Sequence, residues 1–313
     1  MRILTIILLC LMTTISYARD QINIVGSSTV YPFSTVVAER FGKSGKFKTP
    51  VIESTGTGGG MKLFCAGIGV NTPDMSNASR KIKTKEIKLC KDNGVTEITQ
   101  VIVGLDGIAF TSSVEGKQYN FTKVQLWQAM SDLGSKPTKW SDIDPSLPDY
   151  KIAILTPPAT SGTRDAWNSL VMKKGCPEEI LKEQGKKACY MLREDGAVIE
   201  VGENDTLIIN KLVGEPTYFG IFGFSYYDNS KDKVQAHLIE DKKISLKSIQ
   251  DGSYPISRPL YFYVKDQHIG VIPGVEEYVK EFTSKRAAGP RGYLLDLGLV
   301  PLKSLKESIS KVE

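Results

Sequence analysis

The fold is decided by a pattern that occurs three times: a short β-like run, a turn rich in glycine and hydroxyl residues, and a helix. Residues 51–65 carry it most clearly and read VIESTGTGGGMKLFC. Residues 22–33 read INIVGSSTVYPF, and residues 151–167 read KIAILTPPATSGTRDAW. Because strands alternate with helices, the pattern predicts an α/β architecture with open sheets. In such sheets, ligands bind beyond the carboxyl ends of the strands, where the helices begin.

Outside these segments, further β-like runs occur at Val101–Val103, Ile108–Phe110 and Leu260–Val264. The chain has 313 residues, 41% of them hydrophobic, which is enough for one large or two medium domains with packed cores. The net charge of +5 is mildly basic. Its one concentrated basic run, residues 80–85, has a helical spacing and is interpreted as a solvated helix face. A nucleic-acid partner is therefore not expected.

The first residues have the features of a secretory signal peptide. Arg2 precedes a short apolar run, and Ser16-Tyr17-Ala18 is a small-x-small cleavage site. A membrane anchor is the alternative, but it needs roughly 20 apolar residues and this run is shorter. We expect residues 1–18 to be removed by cleavage after Ala18 and the mature protein to be periplasmic.

The cysteines that follow the predicted cleavage site are even in number: Cys65, Cys90, Cys176 and Cys189. In an oxidising compartment, this favours two disulfides, for which three pairings are possible. Cys65–Cys90 and Cys176–Cys189 are favoured because each closes a local loop, and free buried thiols are the alternative. A metal site is disfavoured, since no CxxC occurs and the chain has two histidines.

The three turns resemble oxyanion sites. They lie at Gly26–Pro32, Ser54–Gly60 and Thr160–Arg164, each directly before a predicted helix. A helix N-terminus has unpaired N–H groups and a partial positive charge, and glycine lets an anion approach them closely. Simple N-capping by Ser or Thr is the alternative for any one turn. Three such turns in one chain favour a shared anion.

Enzyme motifs are absent from these turns. The second turn is not a phosphate-binding P-loop, because Met61 separates Gly60 from Lys62 and no hydroxyl residue follows that lysine. No GxSxG nucleophile motif occurs. We therefore expect no catalytic residues, no metal and no cofactor.

Eight segments in the same order resemble one family: the periplasmic phosphate-binding proteins of the phosphate-specific ABC transporter, within the type II solute-binding proteins. The segments are GSSTVYPF at 26–33, STGTGGGMKLFC at 54–65, PDMSNASRKI at 73–82, GLDGIAF at 104–110, PPATSGTRDAW at 157–167, GENDTLIINKL at 202–212, GIFGFSYY at 220–227 and YPISRPLYFYV at 254–264. They span nearly the whole mature chain.

The resemblance implies a type II fold of two α/β lobes with a ligand cleft between them. Lobe 1 is expected to hold residues 19–112 and 258–313, and lobe 2 residues 113–257, with crossings near Ser113 and Ser257. The implied function is capture of inorganic phosphate and its delivery to the inner-membrane permease of an ABC transporter, by a monomer. The alternatives are a binding protein for sulfate or molybdate and, from another class, a secreted phosphatase.

The resemblance also implies a binding site. The family's first turn supplies a Thr hydroxyl and the next backbone N–H, its Gly-rich turn a hydroxyl, and its second lobe a Ser-Gly-Thr helix start. The expected phosphate-binding residues are Ser28, Thr29, Val30, Thr57, Gly58, Ser79, Arg80, Asp106, Ser161, Gly162, Thr163 and Arg164.

Two departures from the family pattern concern charge. Arg80 stands where better-known members have an Asp, and Pro157 stands where they have an Arg. We expect Arg80 and Arg164 to supply the positive charge, although Arg80 fits a surface cation equally well. Asp106 is the expected acceptor of the phosphate proton and Asp165 the second candidate; the alternative for Asp106 is an ordinary turn residue.

Overall fold

The computed structural model describes residues 19–202, 205–305 and 308–312. The predicted signal peptide, residues 1–18, lies outside them. No helix within these ranges is both long and apolar enough to cross a membrane.

The strands are short apart from two long ones, β4 and β11. They are β1 (Asn23–Gly26), β2 (Val51–Ser54), β3 (Met75–Ala78), β4 (Ile98–Ser113), β5 (Asn120–Phe121), β6 (Ile154–Thr156), β7 (Val198–Glu200), β8 (Phe219–Gly223), β9 (Val234–Ala236), β10 (Leu238–Ile239), β11 (Ser257–Lys265) and β12 (Ile309–Lys311).

The α-helices mostly follow strands directly. They are α1 (Tyr31–Lys43), α2 (Gly56–Phe64), α3 (Thr84–Asp92), α4 (Lys123–Met130), α5 (Gly162–Trp167), α6 (Lys173–Gly175), α7 (Glu178–Glu183), α8 (Gly185–Cys189), α9 (Asp205–Gly214), α10 (Phe224–Asp228), α11 (Leu246–Gln250), α12 (Val275–Phe282) and α13 (Lys285–Ala288). A π-helical turn at Asn168–Met172 continues α5, and 3-10 turns lie at Trp140–Asp142, Asp266–His268 and Leu295–Leu297.

One sheet order, β2-β1-β3-β11-β4-β8-β6-β7, runs through the molecule, with β9 and β12 paired to β4. β1 is parallel to β2 and β3, and β6 is parallel to β7 and β8, so each end is a parallel α/β unit. The first half of β4 pairs antiparallel with β11, and its second half pairs with β8 and β9. β4 therefore connects the two lobes.

The two lobes have separate apolar cores. The first combines α1, β11 and α12, with Phe41, Phe262 and Tyr278 buried together. The second core is rich in aromatic side chains. The ring centroid of Phe110 lies within 6.0 Å of the ring centroids of both Trp140 and Trp167. Because burial of large aromatic side chains dominates core stability, each lobe has its own stabilising centre.

The first crossing was expected near Ser113, within β4. Ile108, Ala109 and Phe110 already pack in the second core, because β4 runs without interruption from one lobe into the other. Core packing thus favours a crossing near Gly107, where β4 leaves its pairing with β11. The lobe boundaries stay a prediction.

Both expected disulfides are present. Cys65, directly after α2, is bonded to Cys90 in α3, and Cys176 is bonded to Cys189 at the end of α8. Each bond joins neighbouring helices within one lobe, as expected from the local loops. A helix does begin at each of the three turns, at Tyr31, Gly56 and Gly162, but each start lies inside the turn segment and not after it.

Candidate functional site

The first turn and the start of α1 are built around Gly26. Its φ is +128°, and a Cβ atom at this position would lie 2.2 Å from the carbonyl oxygen of Asn77. Only glycine fits both the left-handed backbone and this close approach. The chain therefore turns tightly from β1 into α1 and holds Ser28 and Thr29 at the carboxyl end of the sheet.

The third turn brings the second lobe against the first. Ser161 caps α5, with its hydroxyl accepting a hydrogen bond from the Thr163 N–H at 3.2 Å. A Cβ atom on Gly162 would lie 2.5 Å from the Cα atom of Thr29. Thr29 Oγ1 donates toward the Gly162 carbonyl oxygen at 3.4 Å. The two hydroxyl-rich helix starts of opposite lobes are thus in direct contact.

Arg258, at the start of β11, binds both sides of this contact. Its guanidinium donates to Thr29 Oγ1 at 3.0 Å and lies 3.5 Å from the Gly162 carbonyl oxygen. It also approaches Asp165 Oδ2, at 3.4 Å from Nη1. The side chain is only 9% exposed. Arg258 is therefore a nearly buried cation at the junction of the lobes.

The second turn and the segment after β3 supply hydroxyl groups beside this arginine. Thr57 Oγ1 and Ser79 Oγ are 3.1 Å apart, and the Ser79 N–H donates to Thr57 Oγ1 at 3.1 Å. Ser79 Oγ also lies 3.4 Å from Asp165 Oδ2. Two hydroxyls, a guanidinium and a carboxylate thus converge, which is a set of donors and one acceptor suited to a protonated oxyanion.

These groups line a cavity of about 570 Å³ between the lobes, here called the cation-lined cavity. Its charged side chains are six cations and one carboxylate, Asp165. The cations are Arg80, Lys81, Lys83, Lys173, Lys186 and Arg258. Ser28, Thr57, Gly58 and Ser79 are the expected site residues that line it beside Arg80. The excess of positive charge favours an anionic ligand.

A second cavity of about 400 Å³ is lined by both residues of the Thr29–Gly162 contact and is here called the acidic cavity. Its charged lining consists of Asp106 and Asp205, with no Lys or Arg among the described lining residues. The expected site residues in its wall are Ser28, Thr29, Asp106, Ser161, Gly162 and Thr163. Ser28 is shared by both cavities. The expected set is thus divided between two differently charged spaces.

The environment of Asp106 differs from that of Asp165. Burial raises the pKa of Asp106, and the charge of Arg258 opposes that rise only in part. Asp106 Oδ2 is 3.5 Å from Arg258 Nε and has no hydrogen-bond partner among the described atoms. Asp106 lies in the wall of the acidic cavity, whereas Asp165 lies beside the hydroxyls of Thr57 and Ser79.

Arg80 is in the cation-lined cavity, although part of its charge is already paired. Its guanidinium makes two hydrogen bonds to the Glu86 carboxylate, at 2.9 and 2.7 Å. Glu86 also accepts from the Lys83 N–H at 2.9 Å and so caps α3, which begins only at Thr84. The interpretation of residues 80–85 as a helix face is therefore wrong for residues 80–83. They form an irregular segment that leads into α3, and Arg80, Lys81 and Lys83 within it line the cavity.

Arg164 does not line either cavity, contrary to expectation. Its guanidinium is 7% exposed and donates to the Pro157 carbonyl oxygen at 3.0 Å and to Glu200 at 3.1 Å. Burial lowers its pKa, and Glu200 opposes that shift. The side chain points back along the end of β6 because α5 presents Asp165, and not Arg164, to the cleft. Val30, the N-terminal cap of α1, has a fully buried side chain, and the expected contribution of its backbone N–H stays a prediction.

Sequence reasoning did not identify Arg258, Lys173 or Lys186. Arg258 had one detectable signal: it is a single cation in the otherwise apolar and aromatic strand segment RPLYFYV. A charge at the head of a buried strand needs a partner or a ligand. The two lysines lie in lobe 2 helices whose orientation only the packed structure defines.

Comparison with known proteins shows the family to which the chain belongs. A family model described as the PBP superfamily domain matches residues 13–286. Protein SphX of Synechococcus elongatus is 30% identical over 259 residues, which cover 80% of this chain and 70% of that protein. The phosphate-binding protein PstS of Staphylococcus saprophyticus is 29% identical over 296 residues, 92% of this chain and 83% of that protein.

Solved structures of similar proteins have the same fold. A possible phosphate binding protein from Planctomyces limnophilus has a TM-score of 0.75 at 26% identity, covering 92% of this chain and 95% of that chain. An ABC-type phosphate transport receptor from Vibrio cholerae, 19% identical, shares the fold with a TM-score of 0.65 over 90% of this chain and 99% of that chain. The expected two-lobed α/β fold is thereby confirmed. The chain belongs to the PBP superfamily and is similar to the PstS and SphX proteins within it.

Proposed function

We propose that the protein binds inorganic phosphate in the cation-lined cavity and delivers it to the permease of an ABC transporter. The observation that carries this proposal is the convergence of Thr57, Ser79, Asp165 and Arg258 at the junction of the lobes, in a cavity with six cations. The names of the PstS and Planctomyces relatives support phosphate as the ligand. Their names describe binding proteins, so an enzymatic role is not proposed.

Each group at the junction has a role in this proposal. Arg258 supplies the nearly buried positive charge, and the hydroxyls of Thr57 and Ser79 donate to phosphate oxygens. Asp165 accepts the proton that phosphate still carries near neutral pH. Sulfate has no such proton, so the same carboxylate repels it. Hydrogen bonds to a charged group contribute about 1.5–3 kcal/mol each, so a few suffice for about micromolar affinity.

Contact between the lobes couples binding to transport. Arg258 touches both Thr29 and Gly162, so a ligand beside it stabilises the closed arrangement that a permease can recognise. We further propose that residues 1–18 direct export, that the mature protein works outside the cytoplasm as a monomer, and that no nucleic acid takes part.

Calorimetric titration with phosphate, arsenate and sulfate tests the ligand. The expected result is one phosphate site per chain, with sulfate at least 100-fold weaker. Equal affinity for phosphate and sulfate would refute the assignment and favour a general oxyanion carrier. Release of phosphate from a phosphate ester by the purified protein, with divalent metals present, would instead support the phosphatase alternative.

A further inference from the structure

The cation-lined cavity is much larger than one phosphate ion. It has a volume of about 570 Å³. Orthophosphate has five non-hydrogen atoms and takes the space of roughly two or three waters, about 60–90 Å³. Cavities of the observed size ordinarily hold ligands with several times as many atoms. Thr29 and Gly162 of opposite lobes are in direct contact, so the cavity has this volume even when the lobes touch each other.

The cations of the cavity fall into two classes. The arginines are matched by carboxylates: Arg80 pairs with Glu86, and Arg258 lies beside Asp106 and Asp165. Four lysines form the second class, and none of them is in a salt bridge with a carboxylate in the described parts of the chain. They are Lys81, Lys83, Lys173 and Lys186. Orthophosphate held by Arg258 and the hydroxyls leaves these four lysines without a salt-bridge partner.

The unpaired lysines come from both lobes and line the same cavity. Lys81 and Lys83 precede α3, Lys173 begins α6, and Lys186 lies in α8. The pKa of Lys83 is lowered first by the charge of Arg80 and then by burial, Glu86 opposes the shift, and Lys186 in the other lobe adds to it. Positive charges that repel across a cavity favour an anion that bridges them.

We propose that the cavity binds condensed phosphates, with one phosphoryl group at Arg258, Thr57 and Ser79 and the next at the four lysines. This inference rests on the proposed function, because the inner phosphoryl group uses the phosphate site. A second phosphoryl group supplies both the volume and the negative charge that orthophosphate lacks. A phosphate monoester supplies volume alone and gains nothing from the lysines.

Calorimetry on the full mature chain at fixed ionic strength, without divalent cations, tests the proposal. The probes are orthophosphate, pyrophosphate, tripolyphosphate and glycerol 3-phosphate. We expect pyrophosphate and tripolyphosphate to bind at least tenfold more tightly than orthophosphate, and glycerol 3-phosphate to show no such gain.

Removal of charge on both sides of the cavity provides the matched variants. The double variant Lys83→Gln/Lys186→Gln should weaken pyrophosphate at least tenfold and orthophosphate less than threefold. The control Lys88→Gln/Lys182→Gln removes one exposed lysine from a helix of each lobe, each paired with a carboxylate four residues away, and should change neither affinity.

The outcomes separate the two proposals. Orthophosphate binding with pyrophosphate equal or weaker overturns the condensed-phosphate inference and leaves the proposed function intact. Pyrophosphate preference that survives in the lysine variant also overturns it, because the lysines then do not bind the second group. Absence of orthophosphate binding to the unmodified chain overturns the proposed function itself.

Discussion

At the scale of single residues, the position of positive charge in the cleft is the main difference between expectation and structure. The hydroxyl turns were predictable because Gly-rich helix starts have a local sequence pattern. The position of the cleft arginine was not predictable. No local sequence pattern shows the direction of a side chain that lies where a strand crosses between lobes or in the first turn of a helix. Arg164 was expected in the cleft and is held by Pro157 and Glu200, whereas Arg258 occupies the junction.

Substitution of the two arginines distinguishes these positions. Arg258→Gln should weaken phosphate binding at least tenfold, or about 1.4 kcal/mol, because it removes the nearly buried cation beside the hydroxyls. Arg164→Gln should leave the dissociation constant within twofold and lower the free energy of unfolding by about 1–3 kcal/mol, since it loses buried hydrogen bonds. Calorimetry and urea unfolding measure the two effects. The reverse assignment of effects would restore Arg164 to the site.

Substitution of the two carboxylates distinguishes the proton acceptor. Asp165→Asn should lower the ratio of phosphate affinity to sulfate affinity at least tenfold, because Asp165 lies beside the Ser79 hydroxyl in the cation-lined cavity. Asp106→Asn should leave that ratio within threefold, because Asp106 lies in the acidic cavity. Competition titrations with both anions provide the measurement. A changed ratio in Asp106→Asn alone would contradict the choice of Asp165.

At the scale of elements, short β-like runs predicted β1, β2, β6 and β11, and the helical stretches beside the turns predicted the helices that begin there. Residues 101–110 were expected as a strand region that is interrupted between Gly104 and Gly107, whereas β4 runs through them without a break. In the structure these glycines mark close packing instead: a Cβ atom would lie 2.6 Å from Leu299 at the first and 2.4 Å from Ile249 at the second. β3 was not predicted, since Ser76 and Asn77 are polar although fully buried.

The buried end of β3 is stabilised by a carboxylate that joins three segments. Asp74 is fully buried and lies 2.7 Å from an Arg19 guanidinium nitrogen and 2.6 Å from His268 Nδ1, and it accepts the Asn23 N–H at 2.7 Å. Asp74→Ala leaves these groups without their shared partner and should lower the free energy of unfolding by about 3–5 kcal/mol. Denaturant unfolding measures the loss.

The matched control for this prediction is Asp92→Ala, which breaks an exposed ion pair with Lys88 within α3. Exposed pairs contribute about 0–1 kcal/mol, so the control should unfold at almost the same denaturant concentration as the unmodified chain. Similar losses in both variants would mean that Asp74 does not join the segments energetically.

At the scale of the whole molecule, each lobe folds around its own core, and the second core contains a titratable group. His237 is 1% exposed and lies among the rings of Phe110, Tyr119, Phe121 and Phe219, with centroids 5.1–5.9 Å away. Its Nδ1 accepts the Tyr119 N–H at 3.1 Å, so the ring is held in a neutral form. Burial lowers its pKa from 6.5 to about 3.

This histidine predicts how stability depends on pH. Between about pH 6.5 and 3 the unfolded chain binds a proton that folded His237 does not, so acidification favours unfolding. The full contribution of neutral His237 to the free energy of unfolding is present above the pKa of the histidine in the unfolded chain. About 2 kcal/mol of this free energy is lost between pH 7 and pH 5.

The variant His237→Asn tests this dependence, because asparagine keeps an acceptor for the Tyr119 N–H but cannot titrate. Its free energy of unfolding should therefore fall about 2 kcal/mol less than that of the unmodified chain over the same interval. Urea unfolding of both proteins at pH 7, 6 and 5 measures the difference, in which all other titrating groups cancel. Parallel losses in the two proteins would mean that His237 is not kept neutral by the second core.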